Sequence, residues 1–455
     1  MANNTATHLL GTEKISTLLW QYALPSIIAM TAASLYNMVD TIFIGHGVGP
    51  MGNAALTIAL PLMNIAAAFG AMVGAGASSL LSIKLGQKDN DSARHILGNV
   101  VMLNLILGIS LGVISIIFLD PILIAFGASE TVLPYAREYM LPLLYGNVVT
   151  HLYMGLNNTM RAAGHPQKSM MVMLIAVGVN CALDAFFIFV LDWGIAGAAW
   201  ATVIAQVVAL IIELDHFFNK KHELHFVKGI FKLKKRIVKG ILGIGLAPFL
   251  MNLASSMIVA IINWRLGSYG GDLYIGAYGN INKLALIFFM IVLGLNQGMQ
   301  PIVGYNYGAL KFDRVRQAFM KVVVIATCIM SVGFVISVFF PGVVSRIFTS
   351  DEALIKATEE GLWIVFLMYP VVGFQIVSSS MFQSIGKPGK AILLSLTRQL
   401  LFLLPMLIIL PPIFGTDGVW MSMPIADISS TVLAVVLIVN QLRKFKQQEN
   451  TGKLV

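Results

Sequence analysis

Long apolar runs follow one another along the chain, separated by short polar stretches, at roughly 18 to 43, 53 to 82, 96 to 119, 138 to 160, 169 to 191, 195 to 217, 240 to 264, 274 to 305, 317 to 340, 360 to 382, 390 to 411 and 418 to 441. A helix crosses the bilayer core with about 20 apolar residues. Each of the twelve runs is therefore long enough to span. Backbone groups in lipid must be satisfied internally, and the runs are too long and continuous for barrel strands. The pattern predicts an all-α integral membrane protein of twelve transmembrane helices. The run opening near Leu18 exceeds a signal peptide's apolar core and has no small-residue cleavage site after it, so it reads as a retained first span.

The pattern also repeats. Pro25 precedes Asp40 by fifteen residues, and Pro248 precedes Asn263 by fifteen. Gly86 with Arg94 recurs as Gly308 with Arg316, Gly164-His165-Pro166 as Gly386-Lys387-Pro388, and Gly194 with Gly197 as Gly415 with Gly418. One offset holding across these landmarks predicts two pseudo-symmetric six-helix lobes related by an axis along the membrane normal. The expected division is an N-lobe at 1–218, a basic linker loop at 219–239 and a C-lobe at 240–455. In parallel-repeat carriers the substrate lies between the lobes near mid-membrane and the lobes rock around it. The copies differ in chemistry, since Asp40 and Asp184 align with Asn263 and Met406.

Composition agrees with this class: 57% of residues are hydrophobic and only 11% charged, with mean hydropathy +0.83, against roughly a quarter charged in soluble domains. Cys181 and Cys328 both fall inside spans, so neither a disulfide framework nor a metal set is indicated. The net charge of +9 would suggest nucleic acid if read alone, but the basic residues sort by loop. Twenty-three of the 30 lysines and arginines fall on one side, among them Lys14, Lys84, Lys88, Arg161, Lys168, the linker and the tail with Arg443, Lys444, Lys446 and Lys453. Arg137, Arg265, Arg346 and Lys356 fall on the other. By the positive-inside rule both termini and the linker face the cytoplasm. The charge then serves topology and the lipid surface, and no nucleic acid is expected.

Counting along the helices at 1.5 Å per residue places Asp40, Asp184 and Thr202 at similar depth in the outer half of the N-lobe. Asn180 lies one turn before Asp184, and Ala198, whose carbonyl would add an oxygen, one turn before Thr202. Two carboxylates, an amide and a hydroxyl are hard oxygen donors suited to a small cation or a shared proton. An isolated carboxylate in lipid is costly, so these acids are expected to face an interior or an aqueous cavity. The alternative makes Asp40 an interfacial residue and Asp184 a helix-packing acid.

The run Leu35-Tyr36-Asn37-Met38-Val39-Asp40 with Ile44-Gly45, the run Lys84-Leu85-Gly86-Gln87 before the third span, and the two Gly-x-Pro loops after spans four and ten make the chain resemble the multidrug and toxic compound extrusion (MATE) family over essentially its whole length. The resemblance is to the prokaryotic branch with an N-lobe cation site, and it implies that Asp40, Asn180, Asp184 and Thr202 bind H+ or Na+. It also matches Asn157 to a polar position of span four, although depth counting puts that residue near the cytoplasmic end. A branch with acids in spans seven and ten is not matched, because Asn252, Ser255 and Tyr369 stand there.

Lys283, Arg398 and Asp427 fall near the midplane of the C-lobe. An ion pair between Arg398 and Asp427 is the preferred reading, because unpaired charge there is costly. The alternative has Asp427 or Lys283 contacting substrate. Met38, Met173 and other span methionines can line an adaptable cavity or simply pack. Pro25 and Pro248 are expected to kink their helices, as bending points or as fixed bends.

Together these readings predict a cation-coupled antiporter, without a cofactor, that exports organic and often cationic amphiphilic drugs by alternating access, as a monomer in the cytoplasmic (inner) membrane. The nearest alternative is a lipid-linked saccharide flippase, which would want a basic cavity for its pyrophosphate. An intramembrane enzyme is disfavoured, since no His-rich metal motif or Ser/His/Asp set is expected at a common depth.

Overall fold

The computed structural model describes residues 6 to 451 and is built of helices, with no strand among the described residues. Lys453 of the basic tail lies outside them. Among the described residues the helices make twelve spans. In the first half they are Ile15–Gly47, Pro50–Gly86, Asn90–Ile117, the broken pair Leu133–Tyr145 and Asn147–Ala162, Pro166–Phe189 and Gly194–Phe218. In the second half they are Lys235–Gly270, Asp272–Gly308, Phe312–Phe339, the broken pair Glu352–Val365 and Tyr369–Ser384, a helix running from Pro388–Leu396 through Thr397–Leu403 to Leu404–Ile409, and Thr416–Thr451. Spans seven and eight read as a single apolar stretch of 74 residues. At 1.5 Å per residue that is far more than one crossing. The break is Gly271, whose φ of 71° leaves the right-handed helical region.

The backbone repeats more faithfully than the side chains. Left-handed conformations occur in matched pairs at Gly49 and Gly271, Lys88 and Leu310, Gly164 and Gly386, and Gly194 and Gly415. Short helices Leu119–Ala125 and Pro341–Phe348 follow the third span of each half. The fourth span of each half is broken, at Gly146 in the first and with a bend of 59° in the second. Neither break was expected from the apolar runs, because an irregular turn inside a span leaves the hydropathy intact.

The chain forms two compact units, residues 1–13 with 28–249 and residues 14–27 with 250–455. Each unit takes the opening segment of a span whose remainder belongs to the other, and the changeovers fall within two residues of Pro25 and Pro248. Glycine makes both insertions fit. In the first unit a Cβ on Gly76 would lie 2.0 Å from the carbonyl oxygen of Ile241, and one on Gly245 would lie 1.8 Å from that of Met72. In the second unit, Cβ atoms on Gly294 and Gly298 would meet the backbone of Ile27 at 2.6 Å and of Ala23 at 2.4 Å. Small residues let helix backbones approach where lipid offers no hydrophobic drive for association.

Span eleven carries a widened turn at Thr397–Leu403, where the Leu404 N–H donates to the Gln399 carbonyl five residues back. Pro405 explains it: proline has no N–H to give, and its ring crowds the carbonyl four residues earlier. Arg398 is displayed from this turn.

Candidate functional site

Asp40 and Asp184 are buried, at 5% and 0% exposure. They sit in one polar group of the first unit. The Asn180 amide donates to Asp184 Oδ2 at 3.1 Å, across the single turn that separates them. Tyr36, one turn before Asp40, shares a hydrogen bond of 2.9 Å with the Thr202 hydroxyl. The carboxylates lie within electrostatic reach of each other and of the phenols of Tyr36 and Tyr139.

An apolar cluster fixes the register. Ile44 and Ile188 each lie one turn beyond an acid, and Ala198 lies one turn before Thr202 on a helix running the opposite way. All three pack in one core with Ala55, Leu119, Tyr139 and Leu144. The cluster closes the group on the side away from the basic loops. Asp40 Oδ1 and Asp184 Oδ1 are buried without a hydrogen-bond partner among the described residues. Ionised carboxylate oxygens accept and do not donate. With the amide and hydroxyl oxygens around them they make a hard-oxygen set of the kind that suits a small cation, or a proton held between two acids.

The other predicted positions lie elsewhere. Asn157 donates from Nδ2 to Glu213 Oε1 at 2.9 Å and to the Ser169 carbonyl at 3.2 Å, and its Oδ1 accepts from the Ser169 hydroxyl at 2.7 Å. Glu213 is wholly buried, about three turns along span six from Thr202. Met38 is 63% exposed, two residues from Asp40 and so on a different face of its helix. Met173 is half-buried, about three turns before Asp184.

In the second unit Arg398 Nε donates to Asp427 Oδ1 at 2.5 Å, and Asp427 is only 2% exposed. Tyr278 and Tyr369 stand within electrostatic reach of that guanidinium. Gln399, beside Arg398, donates to the Ser255 hydroxyl at 3.1 Å. Lys283 is exposed, its ammonium 6.0 Å from the centre of the Phe348 ring.

Three features lay outside the sequence reading. Tyr36 was within reach of it, at the same one-turn spacing from Asp40 that Asn180 keeps from Asp184. Glu213 carries the same signal as Asp40 and Asp184, an acid inside a span. The third is a cluster that spacing along the chain does not mark: His165, His216 and His222 come together at the C-terminal end of span six, their candidate ligand nitrogens all within 4.8 Å of one another. They come from an interspan turn, a helix end and the linker. In the turn, burial and the neighbouring His222 and Lys168 push the His165 imidazole down to about 4.

The MatE family model matches residues 25–186 and again residues 248–409. The chain belongs to the MatE family. The two matches begin at Pro25 and Pro248, so the family unit coincides with the repeat and this chain carries it twice. Among curated MatE relatives, the "Multidrug export protein MepA" of Staphylococcus aureus (strain NCTC 8325 / PS 47) is 28% identical over 425 residues, 93% of each chain. The solved structure of the MATE multidrug transporter DinF-BH is 37% identical, with a TM-score of 0.87 over 94% of this chain and 96% of that one. A MATE crystal structure in the bent conformation superposes with a TM-score of 0.92 at 24% identity, over 97% and 98% of the chains, and so agrees in fold. MatE proteins are membrane transporters, and this chain is one of them.

Proposed function

We propose that this transporter is a cation-coupled antiporter in which inward movement of H+ or Na+ drives export of organic, often cationic amphiphilic compounds by alternating access. The observation that carries this reading is the pair of buried, unpartnered oxygens of Asp40 and Asp184, held among Asn180, Tyr36 and Thr202. A cation or proton satisfies those oxygens in one state and leaves them needing a partner in the other, and that difference is what coupling requires. Ala198 belongs to the closing apolar cluster and extends the site toward Thr202. Drug-like substrates are supported by the multidrug names of MepA and DinF-BH. Both termini and the basic linker face the cytoplasm in this reading, the protein works as a monomer in the cell membrane, and no cofactor takes part. The saccharide flippase is less well supported. Asp427 neutralises Arg398, and Lys283 lies against Phe348, which leaves little basic surface for a pyrophosphate.

The test is export of a fluorescent cationic dye from vesicles holding the full chain, with proton and sodium gradients imposed separately. One gradient is expected to drive export, and Asp40→Asn and Asp184→Asn are expected to fold yet lose that coupling. Dye standing still under both gradients in the parent, or both variants keeping gradient-driven export, would sink the reading.

A further inference from the structure

His165 precedes Pro166 in the turn between spans four and five, His216 ends span six, and His222 opens the linker. The ring centroids of His216 and His222 are 3.9 Å apart, those of His165 and His216 4.7 Å, and those of His165 and His222 5.1 Å. No pair of these residues is a turn apart on one helix, so the fold, and not local spacing, assembles them. His216 is buried at 1% exposure, while its two companions are half-buried, which leaves an approach from the linker side.

The surroundings carry charge of both signs. The Lys168 ammonium donates to His216 Nδ1 at 3.1 Å and opposes a second cation until it is displaced. Asp215 lies within electrostatic reach of His222 and supplies opposing charge, and His225 Nδ1 bonds the His222 carbonyl at 2.8 Å, steadying that turn of the linker. Phe217 packs edge-on against the His216 ring, and Phe226 packs in turn on Phe217.

We propose that His165, His216 and His222 bind a divalent transition-metal ion of the zinc or copper class through three imidazole nitrogens, with the fourth position open to water. Zinc takes neutral imidazole at about 2.0–2.1 Å in tetrahedral geometry, which sets its ligand nitrogens roughly 3.3 Å apart. The present spread is 4.8 Å or less, so binding draws the nitrogens together by up to about 1.5 Å. Imidazole is the preferred donor for zinc, copper and nickel and a poor one for magnesium or calcium, so the site discriminates by ligand type. The incoming ion displaces the Lys168 ammonium from His216. Three segments of the first unit, the interspan turn, the end of span six and the start of the linker, are then tied at one point. The site is independent of Asp40 and Asp184, which lie toward the opposite ends of their spans.

The full chain, purified without a histidine tag, is titrated with Co2+ as a spectroscopic probe and with Zn2+ as competitor. One equivalent of Co2+ is expected, with the intense visible absorption of a tetrahedral nitrogen site that Zn2+ abolishes, and a thermal midpoint that rises with metal concentration. His222→Ala, a half-buried change in the linker, is expected to keep the fold in chelator and weaken binding by about tenfold or more. His165→Ala gives a second reading should either variant fold poorly, and His46→Ala, exposed at the far end of span one, is expected to bind as the parent does. Parent protein that takes up no Co2+ or Zn2+, or folded His222→Ala and His165→Ala that bind as tightly as the parent, overturns the proposal.

Discussion

Burying Asp427 beside Arg398 is tolerable only because each ion has the other. Removing one partner leaves an uncompensated charge, at a typical cost of about 3 kcal/mol or more, whereas replacing both with apolar groups of similar volume is often neutral. Asp427→Asn is therefore expected to lower the thermal midpoint of the purified protein, and Arg398→Met with Asp427→Leu to recover most of it. A folded, equally stable Asp427→Asn that has lost transport would instead place Asp427 in the substrate path. The same scale separates what the sequence could disclose from what it could not. Asp40, Asn180, Asp184 and Thr202 were legible because a helix is a ruler, and four residues mean one turn on one face. His165 and His216 are brought together by packing between distant segments, and no periodicity carries that information. Asn157 shared the polar character of the site residues, but its hydrogen bonds run to Ser169 and Glu213.

Among elements, the spans were readable and their joins were not. Hydropathy reports depth in the bilayer and is blind to a turn made by residues that are themselves apolar, so the breaks at Gly146 and before Tyr369 left no trace in the runs. Close helix contact is likewise hidden, since a glycine counts the same in an apolar run whether it faces lipid or a neighbouring backbone. Gly298 and Gly279 share span eight and illustrate the difference: a Cβ at Gly298 would meet Ala23, while one at Gly279 meets nothing within 4 Å. Gly298→Leu is expected to destabilise the folded protein by about 1–3 kcal/mol or to abolish its accumulation, as overpacking does. Gly279→Leu is expected to be nearly silent. Equal losses in a melting experiment on the two variants would remove the close contact as the cause.

For the whole molecule, the distribution of basic residues is what supports the orientation we propose. With Cys181 and Cys328 replaced by alanine, a single cysteine placed by Lys228→Cys in the linker is expected to escape a membrane-impermeant maleimide on intact cells. One placed by Glu130→Cys, between spans three and four, is expected to react. The reverse pattern would invert the orientation proposed here and with it the direction of transport. Twelve spans in two copies could be read from the sequence, because membrane insertion imposes a length and the duplication an offset. The composition of the compact units could not, because it depends on which helices touch.

That composition bears on how the protein is made. Neither unit is encoded as an uninterrupted stretch, since the first needs residues up to 249 and the second needs residues 14–27. A nascent chain that has just completed span six holds all of the first unit but residues 219–249, the linker and the opening segment of span seven. Meanwhile the segment from Lys14 to Ile27 waits for partners, Gly294 and Gly298 among them, that are synthesised about 270 residues later. The exchange of opening segments thus makes assembly a late event in translation, and a ribosome that stalls at the linker leaves the first unit unfinished and only the opening segment of the second.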